Sequence, residues 1–418
     1  GADALVAAAV LGIEGAVEGA VVPALPELSR GQGVRSLYFI KPLLALTVAV
    51  LLPFLLQRGV NRGRFLAAAG LVSLSCSCFA MAVDSSLAVL LAARAATAVS
   101  SALIIVPVFH TIMLQAPPDR VGWRLGIAMC GLTAGLACGP LIGSVFVWLQ
   151  DLQAMFGVLS AAAAGICCVH LATTMWIVKT PGACHSCNPL EHGLSGSLLR
   201  VASTQLCDAK QGVLLAGVGL CAAVLSLHCT LVPAYLGGPE ASAETAQVLS
   251  ATSGAGVLVA FAILACGLAV DVLAEPWALR GMLVAHVAGI LGLRALMDGQ
   301  TSEQPLTCLF GLLASHAGTG AFLGLGMPIV LRISRGCSAI PTLSASAVAS
   351  TALAVAWFFG DALGVGLQML LHHQVGCRYT ILGFAAVLAT HAMVLVAQPW
   401  SHGKSLEQFS GSHRELHG

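Results

Sequence analysis

The chain has 418 residues, 58% of them hydrophobic and 9% charged, with a formal net charge of +1 and a mean hydropathy of +0.92. That composition excludes an ordinary soluble domain and leaves no charge excess with which to attract nucleic acid or an acidic partner. The solvent this sequence suits is lipid. A helix crosses a bilayer with roughly 20 consecutive apolar residues, because every backbone N–H and C=O has to be paired inside the segment.

Taken in chain order, the uninterrupted apolar windows predict helices near residues 3–28, 36–57, 65–83, 86–115, 122–149 and 153–178. A polar stretch over 179–210, rich in Gly, Ser, His and Cys, is too short for a domain and suits a linker. Six more helices follow near 211–236, 245–273, 276–297, 305–333, 343–371 and 379–398, and then a polar tail. The expected fold class is an all-α polytopic membrane protein whose twelve transmembrane helices form two six-helix bundles, over 1–178 and 211–399. The linker over 179–210 and the tail over 400–418 are both expected to be cytoplasmic.

Orientation rests on the distribution of Lys and Arg, since cytoplasmic loops carry the excess. One set of alternate loops, with the linker, holds Arg58, Arg62, Arg64, Arg120, Arg124, Lys179, Arg200, Lys210, Arg280, Arg332 and Arg335. The opposite set holds Arg30, Arg35 and Arg378, so both termini are expected to face the cytoplasm. Two equal halves about a midplane site is the layout of transporters that work by rocking two bundles. The fifteen cysteines lie mostly inside apolar stretches and read as small packing residues, not as a disulfide framework.

Five ionisable residues fall well inside predicted helices: Glu14 and Glu18 on helix 1, Lys41 on helix 2, Arg94 on helix 4 and Asp361 on helix 11. A charge at the bilayer centre costs roughly 2.5–3.5 kcal/mol even on the insertion scale, so such residues mark either a pathway or a buried pair. Glu14 and Glu18 are four apart and share a helical face, and two carboxylates that close in low dielectric disfavour double ionisation. They are candidates for binding a proton or a cation; the structural alternative makes Glu18 a neutralising partner of Lys41 or Arg94. Lys41 is a further candidate for the pathway unless it snorkels to the interface. Arg94 does not deprotonate, so its expected role is structural or gating. Asp361 either carries a proton or only hydrates a cavity. His228 and His316 titrate near neutral pH and are secondary candidates, against the reading that each simply bonds a neighbouring helix.

Other chemistries find little support. Cys184, His185, Cys187 and His192 have donor types that zinc accepts, but their spacing matches no closed site, and a loop is the expectation. There is no Walker motif, no His-Glu-x-x-His and no nucleophile elbow, so neither an ATP-driven pump nor an enzyme is expected, and no cofactor or metal is called for.

Residues 126–145 read GIAMCGLTAGLACGPLIGSV, with Gly131, Gly135, Gly139, Pro140 and Gly143 in register on predicted helix 5. Glycines four apart let helices approach closely, and a proline weakens local hydrogen bonding so that the helix can bend. This pattern resembles the antiporter motif of the drug and vesicular-amine exchangers of the major facilitator superfamily. Val21-Val-Pro-Ala-Leu-Pro26, Ile40-Lys41, Pro53-Phe54 with Asn61-Arg62, and Ala93-Arg94 with Ser100-Ser101 resemble further segments of that group in the same order, some one residue short. Leu231-Val-Pro-Ala234 and Gly326-Met-Pro-Ile329 look like parts of its helices 7 and 10.

The resemblance implies a secondary active transporter that exchanges protons for a small organic cation, an amine or a drug-like solute, by alternating access. It implies that Glu14 stands where relatives bind the substrate ammonium, that Lys41 pairs with it, and that Asn61, Arg62, Arg94 and the helix-5 glycines serve structure or gating. It also implies a vesicle or other endomembrane, with the plasma membrane as alternative; the expected partners are substrate, protons and lipid, with a monomer as the expected state. The sequence departs from that family at Val232, beside Gly326-Met327-Pro328 and at Ala354, where three carboxylates are absent. That departure leaves open a uniporter or symporter of a neutral or anionic solute, or a transport-inactive scaffold or receptor of the same fold.

Overall fold

The computed structural model describes residues 2–28, 34–56, 60–117, 120–179, 209–236, 242–273, 275–301, 305–336, 342–374 and 376–398. The linker with its Cys184, His185, Cys187 and His192, and the polar tail, lie outside them. The described residues form twelve α-helices: α1 (Ala2–Leu28), α2 (Val34–Leu56), α3 (Val60–Val83), α4 (Leu87–Gln115), α5 (Val121–Trp148), α6 (Leu152–Lys179), α7 (Ala209–Leu236), α8 (Ser242–Val272), α9 (Glu275–Thr301), α10 (Pro305–Gly336), α11 (Thr342–Gln374) and α12 (Gly376–Ala397). Eleven of them carry stretches long and apolar enough to cross a membrane, and the described side chains of α8 add a shorter apolar run, Gly256–Val272. The chain is an integral, multi-pass, all-α membrane protein.

These helices are apolar on all sides, as lipid requires, so side-chain size sorts their faces more than polarity does. Large residues such as Leu51, Phe54, Phe65, Phe79 and Phe261 point outward, and Trp148, Trp176 and Trp277 are exposed near helix ends, where indole rings favour the membrane–water boundary. At the helix crossings small residues such as Gly12, Gly135, Gly292 and Ser100 turn inward.

Helix α1 lies along α5, α2 and α3 pack on α4, and α3 packs on α6. The same pairings recur six helices later: α7 along α11, α8 and α9 on α10, and α9 on α12. Helices α5 and α8, and α2 and α11, join the first six to the last six.

The tightest of these contacts is α1 on α5. A methyl group added at Gly135 would lie 2.0 Å from the carbonyl oxygen of Gly12, and one at Gly131 would lie 2.1 Å from that of Ala8. At Gly139 and Gly143 the corresponding distances, to the carbonyls of Ala16 and Ala20, are 2.6 and 2.5 Å. Helix α1 answers with Gly12, Gly15 and Gly19. Pro140 lacks the N–H that would pair with the Leu136 carbonyl, and that oxygen faces Gly19, where an added methyl would stand 2.8 Å from it. The two backbones thus touch over the full run of the glycine motif.

This packing predicts that Gly135→Val destabilises the protein by about 1–3 kcal/mol through overpacking against α1. Gly157→Ala on α6, where nothing lies within 4 Å of the new methyl, is expected to stay within about 0.5 kcal/mol of the parent. Thermal unfolding in detergent reads both, and equal stability of the two variants contradicts the packing.

Candidate functional site

Helix α1 is pressed on α5 by its glycines, and its other face presents Glu14 and Glu18 to α2 and α4. The two acids are one turn apart and so reach the same partners. Lys41 of α2 sits between them, its Nζ 3.2 Å from Glu14 Oε1 and 2.9 Å from Glu18 Oε2. Arg94 of α4 grips Glu18 with both arms of its fork, Nη1 donating to Oε2 at 2.9 Å and Nη2 to Oε1 at 3.1 Å. Its Nε donates to the Leu37 carbonyl on α2 at 3.2 Å. Ser101, seven residues along α4 from Arg94 and hence on the same face, donates to Glu14 Oε1 at 2.6 Å.

Glu14, Lys41 and Arg94 are withdrawn from solvent and lipid, while the Glu18 side chain keeps 21% of its surface exposed. Glu14 is 3% exposed, Lys41 4% and Arg94 0%. Buried charges persist only when paired and hydrogen-bonded, and here each is. The bidentate guanidinium–carboxylate pair is the stronger and more directional element of the cluster, and the single Nζ shared by two carboxylates is the looser one. Tyr38, one turn before Lys41 in α2, donates its hydroxyl to the Val22 carbonyl of α1 at 2.5 Å, which fixes the two helices above the acids.

Asp361 belongs to the same neighbourhood. Helix α11 packs on α2, α4 and α7, and from it Asp361 accepts a hydrogen bond from Ser226 of α7. It stands within electrostatic reach of Lys41, Arg94 and Glu18, yet no base lies at ion-pair distance from it among the described residues. Three carboxylates therefore face two bases. Ala354, two turns earlier on α11, is buried in the apolar core.

The other sequence candidates lie apart from this cluster. Gly131, Gly135, Gly139, Pro140 and Gly143 form the α1–α5 seam behind it. Asn61 is exposed and Arg62 half-buried at the start of α3. His316 is buried on α10, its Nδ1 2.9 Å from the Leu312 carbonyl of its own helix. The side chains of His228 and Val232 lie outside the described residues.

Several polar arrangements gave no signal in the sequence. Asp271, at the end of α8, accepts hydrogen bonds from the backbone N–H groups of Gly122 and Trp123 at 2.9 and 2.6 Å, and from Arg332 of α10 at 2.5 Å. A carboxylate there satisfies orphan donors at the N-terminus of α5 and complements the helix dipole, so it ties α5 to α8 and α10. His286 of α9 and His391 of α12 stack and share a 2.9 Å contact between ring nitrogens, beside Phe322. His110 of α4 bonds Ser346 of α11 at 3.1 Å. Each depends on which helices cross and at what height, which a linear sequence does not display. Among the described residues no three His, Cys, Asp or Glu side chains gather to hold a metal ion.

No protein-family model matches the chain, and no curated protein does either.

Removing the Glu18 charge leaves the Arg94 guanidinium buried and without its bidentate partner. Glu18→Gln is therefore expected to cost about 3–5 kcal/mol of stability, and Glu18→Gln with Arg94→Gln to recover part of that loss. Unfolding in detergent measures both; a single-variant loss below about 1 kcal/mol, in the range of an exposed pair, contradicts the burial.

Proposed function

We propose that the chain is a secondary active transporter of the major facilitator type, exchanging protons for a small organic cation by alternating access. The observation that carries this reading is the inward-facing cluster of Glu14, Glu18 and Asp361 with Lys41 and Arg94. With every group ionised it holds three negative and two positive charges, so one proton or one monovalent cation balances it. A site that needs one positive charge and accepts it from either of two sources is a site for exchange.

The geometry supports the following roles within this reading. Arg94 and Glu18 are locked by a two-armed pair and hold α1, α2 and α4 in register. Glu14 is held by one ammonium and one hydroxyl, so an incoming cation can take over its ammonium partner without dismantling the Arg94 pair. Asp361, half-buried and with no ion pair among the described residues, is the carboxylate that a proton neutralises at least cost. A substrate ammonium arriving between Glu14 and Asp361 would displace that proton.

The recurrence of the helix pairings after six helices supports two six-helix bundles, with the central cluster on α1, α2 and α4 of one bundle facing α11 and α7 of the other. That arrangement lets a change at Asp361 be felt across the line where the bundles would rock. The paired state of Lys41 and Arg94 argues against an anionic cargo, because no base in the cluster is left to attract one.

The test is uptake of a labelled-amine panel into proteoliposomes under an imposed pH gradient. The parent is expected to concentrate at least one amine, and Glu14→Gln and Asp361→Asn to lose at least 10-fold of gradient-driven uptake, the equivalent of about 1.4 kcal/mol or more. Uptake that ignores the gradient would replace the antiporter with a uniporter, and no uptake of any amine would favour a scaffold of the same fold.

A further inference from the structure

A second group of polar side chains, with Arg64 and His170 buried, Thr111, Gln115 and Arg124 half-buried and Asp3 exposed, lies where α1, α3 and α5 begin and α4 and α6 end. A cavity of about 50 Å³ opens there, lined by Asp3 of α1, Arg64 of α3, Thr111 and Gln115 of α4, Arg124 of α5 and His170 of α6. None of these belongs to the central cluster.

The cavity holds unmet demands of one kind. The Arg64 side chain is 6% exposed, and its only charged partner, Asp3, stands 3.9 Å away, beyond hydrogen-bond distance. A guanidinium has five N–H donors, and the one acidic group beside Arg64 lies beyond their hydrogen-bond reach, so the fork stays available to the cavity it lines. Arg124 uses one Nη1 donor on the Gln115 carbonyl at 2.9 Å, leaving the rest of its fork. His170 is fixed by its Nε2, 3.0 Å from the Arg64 carbonyl. A carbonyl only accepts, so that nitrogen carries the hydrogen and Nδ1 of a neutral ring is an open lone pair; it is buried and has no partner.

Charge decides what fits. Arg64 and Arg124 against Asp3 leave one positive charge in excess, and the other polar side chains of the lining besides His170, Thr111 and Gln115 of α4 and Thr173 and Thr174 of α6, are uncharged. Water would satisfy donors without balancing that charge, and a cation would meet two guanidinium groups. A tetrahedral oxyanion meets the forks in the bidentate geometry they favour. With a hydroxyl of its own, as in a phosphate monoester, it also supplies the hydrogen that His170 Nδ1 lacks; without one, His170 has to take up a proton as the anion enters.

We propose that this cavity binds a small phosphate-type oxyanion, either free or as a lipid phosphomonoester headgroup, held between Arg64, Arg124 and His170. Such a ligand joins α3, α5 and α6 at one end of the molecule. That end carries the Lys and Arg excess expected on the cytoplasmic side, where phosphate esters and anionic lipids are found.

The experiment uses the full chain in phosphatidylcholine nanodiscs and inorganic sulfate as the first probe, because sulfate does not titrate between pH 6 and pH 8. Thermal stability is expected to rise saturably with sulfate at fixed ionic strength, more strongly at pH 6 than at pH 8. Arg64→Gln and the more accessible Arg124→Gln should each weaken the apparent affinity at least 10-fold, and His170→Gln should keep binding but lose its pH dependence. Inorganic phosphate in place of sulfate should bind with less dependence on His170. Nanodiscs containing phosphatidic acid separate the sources: stabilisation by the lipid with loss of the sulfate response identifies the headgroup as occupant, and an unchanged sulfate response identifies the free anion. Absence of any saturable sulfate or phosphate effect together with equal stability in both lipids overturns the proposal. So does a sulfate effect retained in both arginine variants.

Discussion

Taking a guanidinium, an ammonium and carboxylates out of water costs several kcal/mol per ion, and in a molecule whose solvent is lipid no surface is available to which they can retreat. The polar contacts of α1, α2 and α4 answer that constraint. Glu18 receives two N–H donors from Arg94, Lys41 is shared between two carboxylates, Ser101 caps the remaining need of Glu14, and the Leu37 carbonyl takes the third Arg94 donor. These bonds hold only if α1, α2 and α4 keep their spacing to within a few tenths of an ångström.

The glycine seam between α1 and α5 supplies that spacing. Lipid gives helices no hydrophobic reason to associate, so close backbone packing has to do it, and only glycine lets the backbones of Ala8, Gly12, Ala16 and Ala20 meet Gly131, Gly135, Gly139 and Gly143. Charge and packing are thereby joined in one helix: one face of α1 is smooth enough to seat on α5, and the other carries the acids. Continuing the chain of dependence, α5 is itself held at its N-terminus by Asp271 of α8, which links this seam to the second half of the molecule.

The helices were legible because lipid imposes one rule on every segment, and that rule leaves a local trace: some twenty apolar residues between polar punctuation. The shared face of Glu14 and Glu18 was legible from a spacing of four. Which base would meet which acid was not, because Lys41 and Glu14 are 27 residues apart and Arg94 and Glu18 are 76 apart. Sequence named Lys41 for Glu14 through a family resemblance; the division of labour, with Lys41 shared and Arg94 committed to Glu18, needed coordinates. Ser101 appeared only as part of a helix-4 pattern. Asp271, at the edge of an apolar run, looked like any helix-end residue. The contact of His286 with His391 spans 105 positions, and neither residue has a neighbour in the sequence that marks it.

The proposed exchange requires a site one positive charge short of neutrality, filled by a proton or by a cation but not by both. Proton release on binding a lipophilic amine, followed with an indicator dye in weakly buffered detergent solution, tests that most directly. It predicts about one proton released for each cation bound at neutral pH, and no release from Asp361→Asn. Saturable amine binding by the parent with no proton released would contradict it.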